Sequence, residues 1–178
     1  PETRTDSAFT RSVVGPDQVE AWQERPDVEV ATPMGLSIIN AKTSAGAPVD
    51  LTLIGADPDG PLIPEVAEGR SPETDGEILV SSTAADDVEI GDTVVVDRLD
   101  IPLTVVGIAG EQHTFGHVDM AFTTLPTWQD VHAGTRFGEE PRPGASEEYS
   151  VVALMGVDGK APDLAAGDAD ADTSAKPM

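Results

Sequence analysis

The sequence predicts an α+β fold in which a small all-β lobe is inserted into a larger mixed body. Three observations predict it. A strand, a helix opened by proline and a second strand follow one another twice, once near each end of the chain. Each of those helices carries one Trp, Trp22 or Trp128, on its buried face. Between the two units lie short Val-rich strands separated by Gly and Asp turns. The 178 residues suit one domain, or a small body with an inserted lobe.

Taken in order, Ser7–Val14 reads as a first strand. Pro16 follows Gly15, with Asp17 and Glu20 in the first turns. Proline suits the first helical position and carboxylates complement the helix dipole there, so a helix is predicted over Pro16–Glu24. Val19 and Trp22 share one face, and Arg25-Pro26 ends the element. Val28–Thr32 and Leu36–Asn40 read as one strand interrupted near Pro33-Met34-Gly35, and Lys42–Pro48 as a turn-rich loop. Val49, Leu51 and Leu53 then alternate with Asp50 and Thr52, the period of a half-buried strand.

Ile78–Val80, Thr93–Val96 and Leu103–Ile108 are short strands, with a helical turn at Thr83–Asp87 between the first two. Asp119–Thr124 is a strand with Met120 and Phe122 on one face. Pro126 opens a second helix carrying Trp128 and Val131, and Gly134 closes it. A Pro-, Gly- and Glu-rich loop at Phe137–Glu148 leads into an apolar strand, Tyr149–Val157. Asp163–Met178 has no apolar period and reads as a disordered acidic tail. The two strand–helix–strand units resemble the halves of a ferredoxin-like, split βαβ sheet. The repeat is one of topology, without residue identity.

The charge excludes whole classes of partner. With 33 acidic and 10 basic residues the formal charge is −23. A nucleic-acid binder needs a basic face to neutralise phosphates, and ten scattered cations do not make one. Anionic membrane surfaces are disfavoured for the same reason. Few Lys (Lys42, Lys160, Lys176) among many Asp suit a protein facing high salt or the cell exterior, where screening limits self-repulsion. The absence of Cys excludes disulfides, thiol nucleophiles and Cys-ligated metal sites. No apolar run approaches the roughly 18 residues that span a bilayer, and no signal peptide opens the chain. A start at Pro1 without Met is what an excised or processed fragment shows.

Chemistry-bearing clusters are few. His113, His117 and Asp119 have metal-like spacing, since two imidazoles four apart on a helix can share a zinc ion with a carboxylate. Gly116 within the segment and β-type residues after it argue against that helix, and no general base of the metalloprotease type stands between. Surface-loop histidines are the preferred reading, with these three residues kept as metal candidates. No Ser lies in a Gly-x-Ser-x-Gly turn. Glycosidase-type carboxylate pairs work in aromatic-rich clefts, and two Trp, one Tyr and four Phe furnish little of one. Asp57-Pro58-Asp59-Gly60 begins like a calcium loop, but Pro61 takes the fifth position, so it reads as a turn. No Gly-rich phosphate cradle is present. No catalytic residue, cofactor or metal is assigned.

The middle of the chain is more informative. Residues Ile54–Pro64 (IGADPDGPLIP) lead into GRSPETDGEILVSSTAADDVEIGDTVVV at Gly69–Val96 and LTVVGIAG at Leu103–Gly110. This succession resembles the MacB-like periplasmic core domain of FtsX-like ABC transporter permeases. The family's "GxDP" turn, Gly-Arg step, acidic Gly turn, "GDxVxV" and "VVGI" strands correspond to Gly55-Asp57-Pro58, Gly69-Arg70, Asp75-Gly76-Glu77, Gly91-Asp92 and Val105–Ile108. Each has a simple structural cause as well. Gly76 and Gly91 permit tight turns before strands, Asp92 can accept from turn amides, and Arg70 can pair with a nearby carboxylate.

The resemblance implies an extracytoplasmic domain at the cell membrane, lying between the first and second transmembrane helices of a permease. A porter-like α/β lobe would comprise residues 1–55 plus 119–162, with an inserted β-rich, sabre-like lobe at 56–118 and the acidic tail at 163–178. It implies mechanotransmission. A separate cytoplasmic ABC ATPase hydrolyses ATP, and the permease helices relay motion to this domain and to a second permease copy, which then handle cargo or an extracytoplasmic partner. On that reading the domain is no enzyme and binds no cofactor or nucleic acid. The alternative is a secreted acidic binding module, or a metal-dependent hydrolase using His113, His117 and Asp119.

Overall fold

The computed structural model describes residues 13–110 and 119–163. His113, His117, most of the expected first strand and all but the first residue of the acidic tail lie outside this set. The element order is α1 (Pro16–Gln23), β1 (Val28–Thr43), β2 (Pro48–Ala56), β3 (Val66–Gly69), β4 (Glu77–Val80), β5 (Thr93–Val96), β6 (Ile101–Ala109), β7 (Met120–Thr124), α2 (Leu125–Ala133) and β8 (Val151–Gly156). The fold is mixed α+β, dominated by strands. The described residues form two compact units, one from residues 13–34 and 147–163, the other from those between Gly35 and Ser146.

In the Gly35–Ser146 unit, β2, β7, β4, β6, β5 and β1 hydrogen-bond in that order, and β1 pairs again with β2. Six strands therefore close into a barrel, which leaves no free sheet edge around the ring. β2–β7 and β4–β6 are parallel, and the other four contacts of the ring are antiparallel. β3 pairs with β6 outside the ring. Alternation supplies the interior. Along β2 the alternating buried residues include Val49, Leu51 and Leu53, and along β6 they include Ile101, Leu103 and Val105. The barrel takes β1, β2 and β7 from outside residues 56–118 and β4, β5 and β6 from inside them.

α2 forms where the sequence places it. Thr124 caps it by accepting from the Thr127 N–H at 3.3 Å, Pro126 sits in its first turn, and Gly134 closes it at φ 71°. Its apolar face puts Trp128 and Val131 into the barrel core.

In the other unit, the Gly15 N–H donates to Gln18 Oε1 at 2.8 Å, closing the first turn of α1. Val19 is buried there, whereas Trp22 stays half-exposed with the Arg25 guanidinium 4.7 Å above its ring. Sequence spacing put Trp22 on a buried face. A cation over the ring offers it a different cover. The first half of β1 pairs antiparallel with β8, from Val28 opposite Gly156 to Met34 opposite Val151.

β1 runs unbroken through Pro33-Met34-Gly35, where the sequence suggested an interruption. The reason is parity. The Met34 carbonyl accepts from the Ser150 N–H at 3.0 Å, so Met34 points its polar groups toward β8 and Pro33 points away from it. Pairing with β2 begins only at Gly35. The missing proline N–H therefore falls on an edge where no strand bond is required among the described residues.

Candidate functional site

The signature residues build turns at several places around the barrel rather than one convergent pocket. The most elaborate is the Gly69–Glu77 segment. β3 ends at Gly69 with φ 78°, where a Cβ would stand 2.3 Å from the Val106 carbonyl oxygen. A Cβ on Gly107 would in turn stand 2.4 Å from the Arg70 carbonyl oxygen. Two glycines thus let the two backbones cross. The Arg70 guanidinium then forks onto the Glu77 carboxylate, with Nη1 donating to Oε2 at 2.7 Å and Nη2 to Oε1.

Glu77 Oε2 also accepts from the N–H groups of Glu73 at 2.9 Å and Thr74 at 3.2 Å. Arg70 beside it holds the Glu77 carboxyl at about 2, well below its ordinary value. The Thr123 hydroxyl donates to the Glu77 carbonyl at 2.7 Å, fastening the clasp to β7.

The remaining signature turns follow the same logic. Gly76, at φ 78°, donates its N–H to Thr127 Oγ1 at 3.1 Å, which ties the turn to the first turn of α2. Asp75 lies exposed beside it. Burial pushes the Asp130 carboxyl up, and the charge of Asp75 adds to that. Gly91 donates to the Val105 carbonyl at 2.8 Å, and Asp92 Oδ2 accepts from the Glu89 N–H at 3.0 Å. Asp57 Oδ1 accepts from the Asp59 N–H at 3.0 Å, with Pro58 inside that turn.

Gly55 acts differently. It stands opposite Gly35 in the β1–β2 ladder, and both lie against Trp128. A Cβ on Gly35 would fall 1.9 Å from Trp128 Cδ2, and one on Gly55 would fall 2.2 Å from Trp128 Cβ. The paired glycines are therefore the seat of the indole, and Trp128 Nε1 donates to Ser37 Oγ at 3.0 Å. Sequence reading singled out Gly55 and missed Gly35, because only the strand register reveals that they are partners.

His132 stacks on Trp128 with centroids 4.6 Å apart, and its Nδ1 lies 3.4 Å from Ser37 Oγ. A groove of about 560 Å³ opens here, lined by Ser37, Ile38, Asn40, Asp97, Arg98 and His132 among others. Its carboxylates are engaged. Asp50 Oδ1 accepts from Asn40 Nδ2 at 2.6 Å, and Asp97 pairs with Lys42 at 2.9 Å.

Of the metal candidates only Asp119 is described. Its carbonyl accepts from the Thr52 N–H at 2.9 Å, a strand bond beside β7, and among the described residues no three potential ligands cluster. No described helix is long and apolar enough to cross a membrane.

Comparisons with known proteins place this geometry in context. The family model of the MacB-like periplasmic core domain matches residues 2–171. An ABC transporter permease of Mycobacterium tuberculosis, itself uncharacterized, is 34% identical over 124 residues, 69% of this chain and 34% of that protein. A second such permease, from Mycobacterium bovis, is 32% identical over 112 residues, 60% of this chain and 29% of its own length. The chain thus spans about a third of the length of the curated relatives it matches.

Among solved structures, the extracellular domain of the ABC-type transporter YknZ from Gram-positive bacteria is similar, with a TM-score of 0.59 at 15% identity. It covers 87% of this chain and 80% of that one. The periplasmic region of MacB from Actinobacillus actinomycetemcomitans gives a TM-score of 0.55 at 11% identity, covering 86% of this chain and 69% of that one. At such identities the likeness is one of fold.

Proposed function

Because this chain belongs to the family of MacB-like periplasmic core domains, a family of extracytoplasmic parts of ABC permeases, we propose that it works by mechanotransmission. A cytoplasmic ABC ATPase hydrolyses ATP, the permease helices carry the motion across the membrane, and this domain moves against a second copy to handle cargo outside. The observation that carries the reading is the family match over residues 2–171. The site geometry agrees with it: the signature residues spend their polar groups on turns and clasps, which suits a body that transmits force better than one that does covalent chemistry. On this reading the domain is not an enzyme and takes no cofactor.

Purification of the full-length permease together with an ABC ATPase encoded beside it tests the reading. ATP hydrolysis is then compared for the intact permease and one lacking residues 13–163. Turnover that depends on the domain supports mechanotransmission. A permease that retains no ATPase, or whose ATPase ignores the deletion, contradicts it.

The porter-like lobe (1–55 plus 119–162) and sabre-like lobe (56–118) enter the proposal with the boundaries drawn from the sequence. The barrel's strands lie on both sides of those boundaries, which sets a direct test. Limited proteolysis that releases 56–118 as a folded fragment supports the division, and a resistant core spanning 35–146 contradicts it.

A further inference from the structure

The barrel closes unevenly. β1 pairs with β2 from Gly35 to Lys42, but with β5 only over Ala41–Thr43. Beyond Ala41 the two strands part, and the groove of about 560 Å³ runs along the opening. Ile38 stands in it 68% exposed. The β5–β6 tip, through Asp97, Arg98 and Leu99, and the last turn of α2 form the opposite wall.

That tip is held and opposed by different forces. Holding it are the Asp97 N–H, which donates to the Asn40 carbonyl at 2.8 Å, the Lys42–Asp97 ion pair at 2.9 Å, and the Leu99 side chain packed against the core. Opposing them is the backbone. Arg98 at φ 68° and Asp100 at φ 53° are both left-handed, a conformation that costs energy for residues with a Cβ, more at Arg98 than at Asp100, since Asp tolerates it better than most. Asp158 is the only other such non-glycine among the described residues. Two strained residues thus flank the one side chain that plugs the seam. Strain of this kind persists only where surrounding contacts enforce it.

We propose that the 97–100 tip is a latch on the β1–β5 seam. It swings outward with a change in its own backbone torsions, withdrawing Leu99 from the core edge and parting Lys42 from Asp97, while β2, β4, β6 and β7 stay paired. Opening relieves the two left-handed residues and widens the groove between β1 and the tip. Local opening of this type draws on the least-paired part of a fold and leaves its core intact.

Hydrogen exchange on the whole chain, read by peptide mass, tests the latch. In the unsubstituted protein, peptides covering 36–43 and 94–101 exchange at least about tenfold faster than those covering β4 and β7. Asp97→Asn removes one surface ion pair and accelerates exchange in the seam peptides by about two- to fivefold, with no change elsewhere. Arg98→Gly eases the closed backbone and slows the same peptides by about two- to threefold. Leu99→Ala accelerates them by tenfold or more, and if that variant fails to fold the other two carry the test. Acceleration spread evenly over the barrel, or seam exchange indifferent to Asp97→Asn and Arg98→Gly, overturns the proposal.

Discussion

Glu77 concentrates more structure than any other single side chain of the signature. It receives the Arg70 fork, two loop N–H groups and, through its carbonyl, the Thr123 hydroxyl. Glu77→Gln keeps the shape and removes the charge, so we expect a loss of about 1 kcal/mol, the worth of a partly exposed, charge-assisted cluster. Urea denaturation checks it. The pH dependence has a definite sign. The folded carboxyl titrates at about 2 against an ordinary 4.5, so its stabilisation is complete above pH 4.5 and fades as pH falls toward 2. The gap in Tm between the natural protein and Glu77→Gln should therefore close across that window, and a gap that persists at pH 2 would refute the clasp. That Arg70 would seek a carboxylate was legible in the sequence. Which of the many acids it takes was not, because the choice depends on the Gly69–Gly107 crossing that aims it.

At the scale of elements, α2 and its glycine seat make the sharpest prediction. A methyl group on Gly35 would overlap the Trp128 ring, and one on Gly55 would overlap the Trp128 Cβ. A ring can tilt, whereas a Cβ is fixed to the helix backbone. Gly55→Ala is expected to cost about 3 kcal/mol or more, and Gly35→Ala somewhat less. Trp128→Leu should relieve Gly35→Ala, so a double-mutant cycle in urea should show coupling of 1 kcal/mol or more. Independent, additive effects would contradict the seat.

The helix itself was readable from Pro126, Trp128 and Gly134, since caps and periodicity are local signals. Its seat was hidden, because opposite placement of Gly35 and Gly55 is a matter of strand register. Pro33 misled for a related reason: a proline ends a strand only where its N–H is needed, and the edge it faces is not visible in the sequence.

For the whole molecule, barrel closure was the least legible feature. Short Val-rich strands announced an all-β region, but their joining with β1, β2 and β7 depends on pairings distant in sequence. Charge was legible at once. With a net charge of −23 and 33 acidic residues against 10 basic ones, self-repulsion should outweigh attraction. Raising salt from about 0.1 M to about 1 M shortens the Debye length from roughly 10 to 3 Å and should raise the Tm. A fall in Tm would mean that the ion pairs dominate.

The central claim is that ATP-driven motion reaches this domain. These 178 residues contain no Cys, so in a reconstituted permease–ATPase assembly whose other cysteines are replaced, Asp59→Cys in the exposed turn after β2 can carry one nitroxide in each copy. Pulsed electron-spin resonance then reads the distance between the two labels with and without trapped ATP. The account predicts a distance distribution that shifts by several ångström on trapping and returns after hydrolysis. One identical distribution in every nucleotide state, while hydrolysis proceeds, would contradict it.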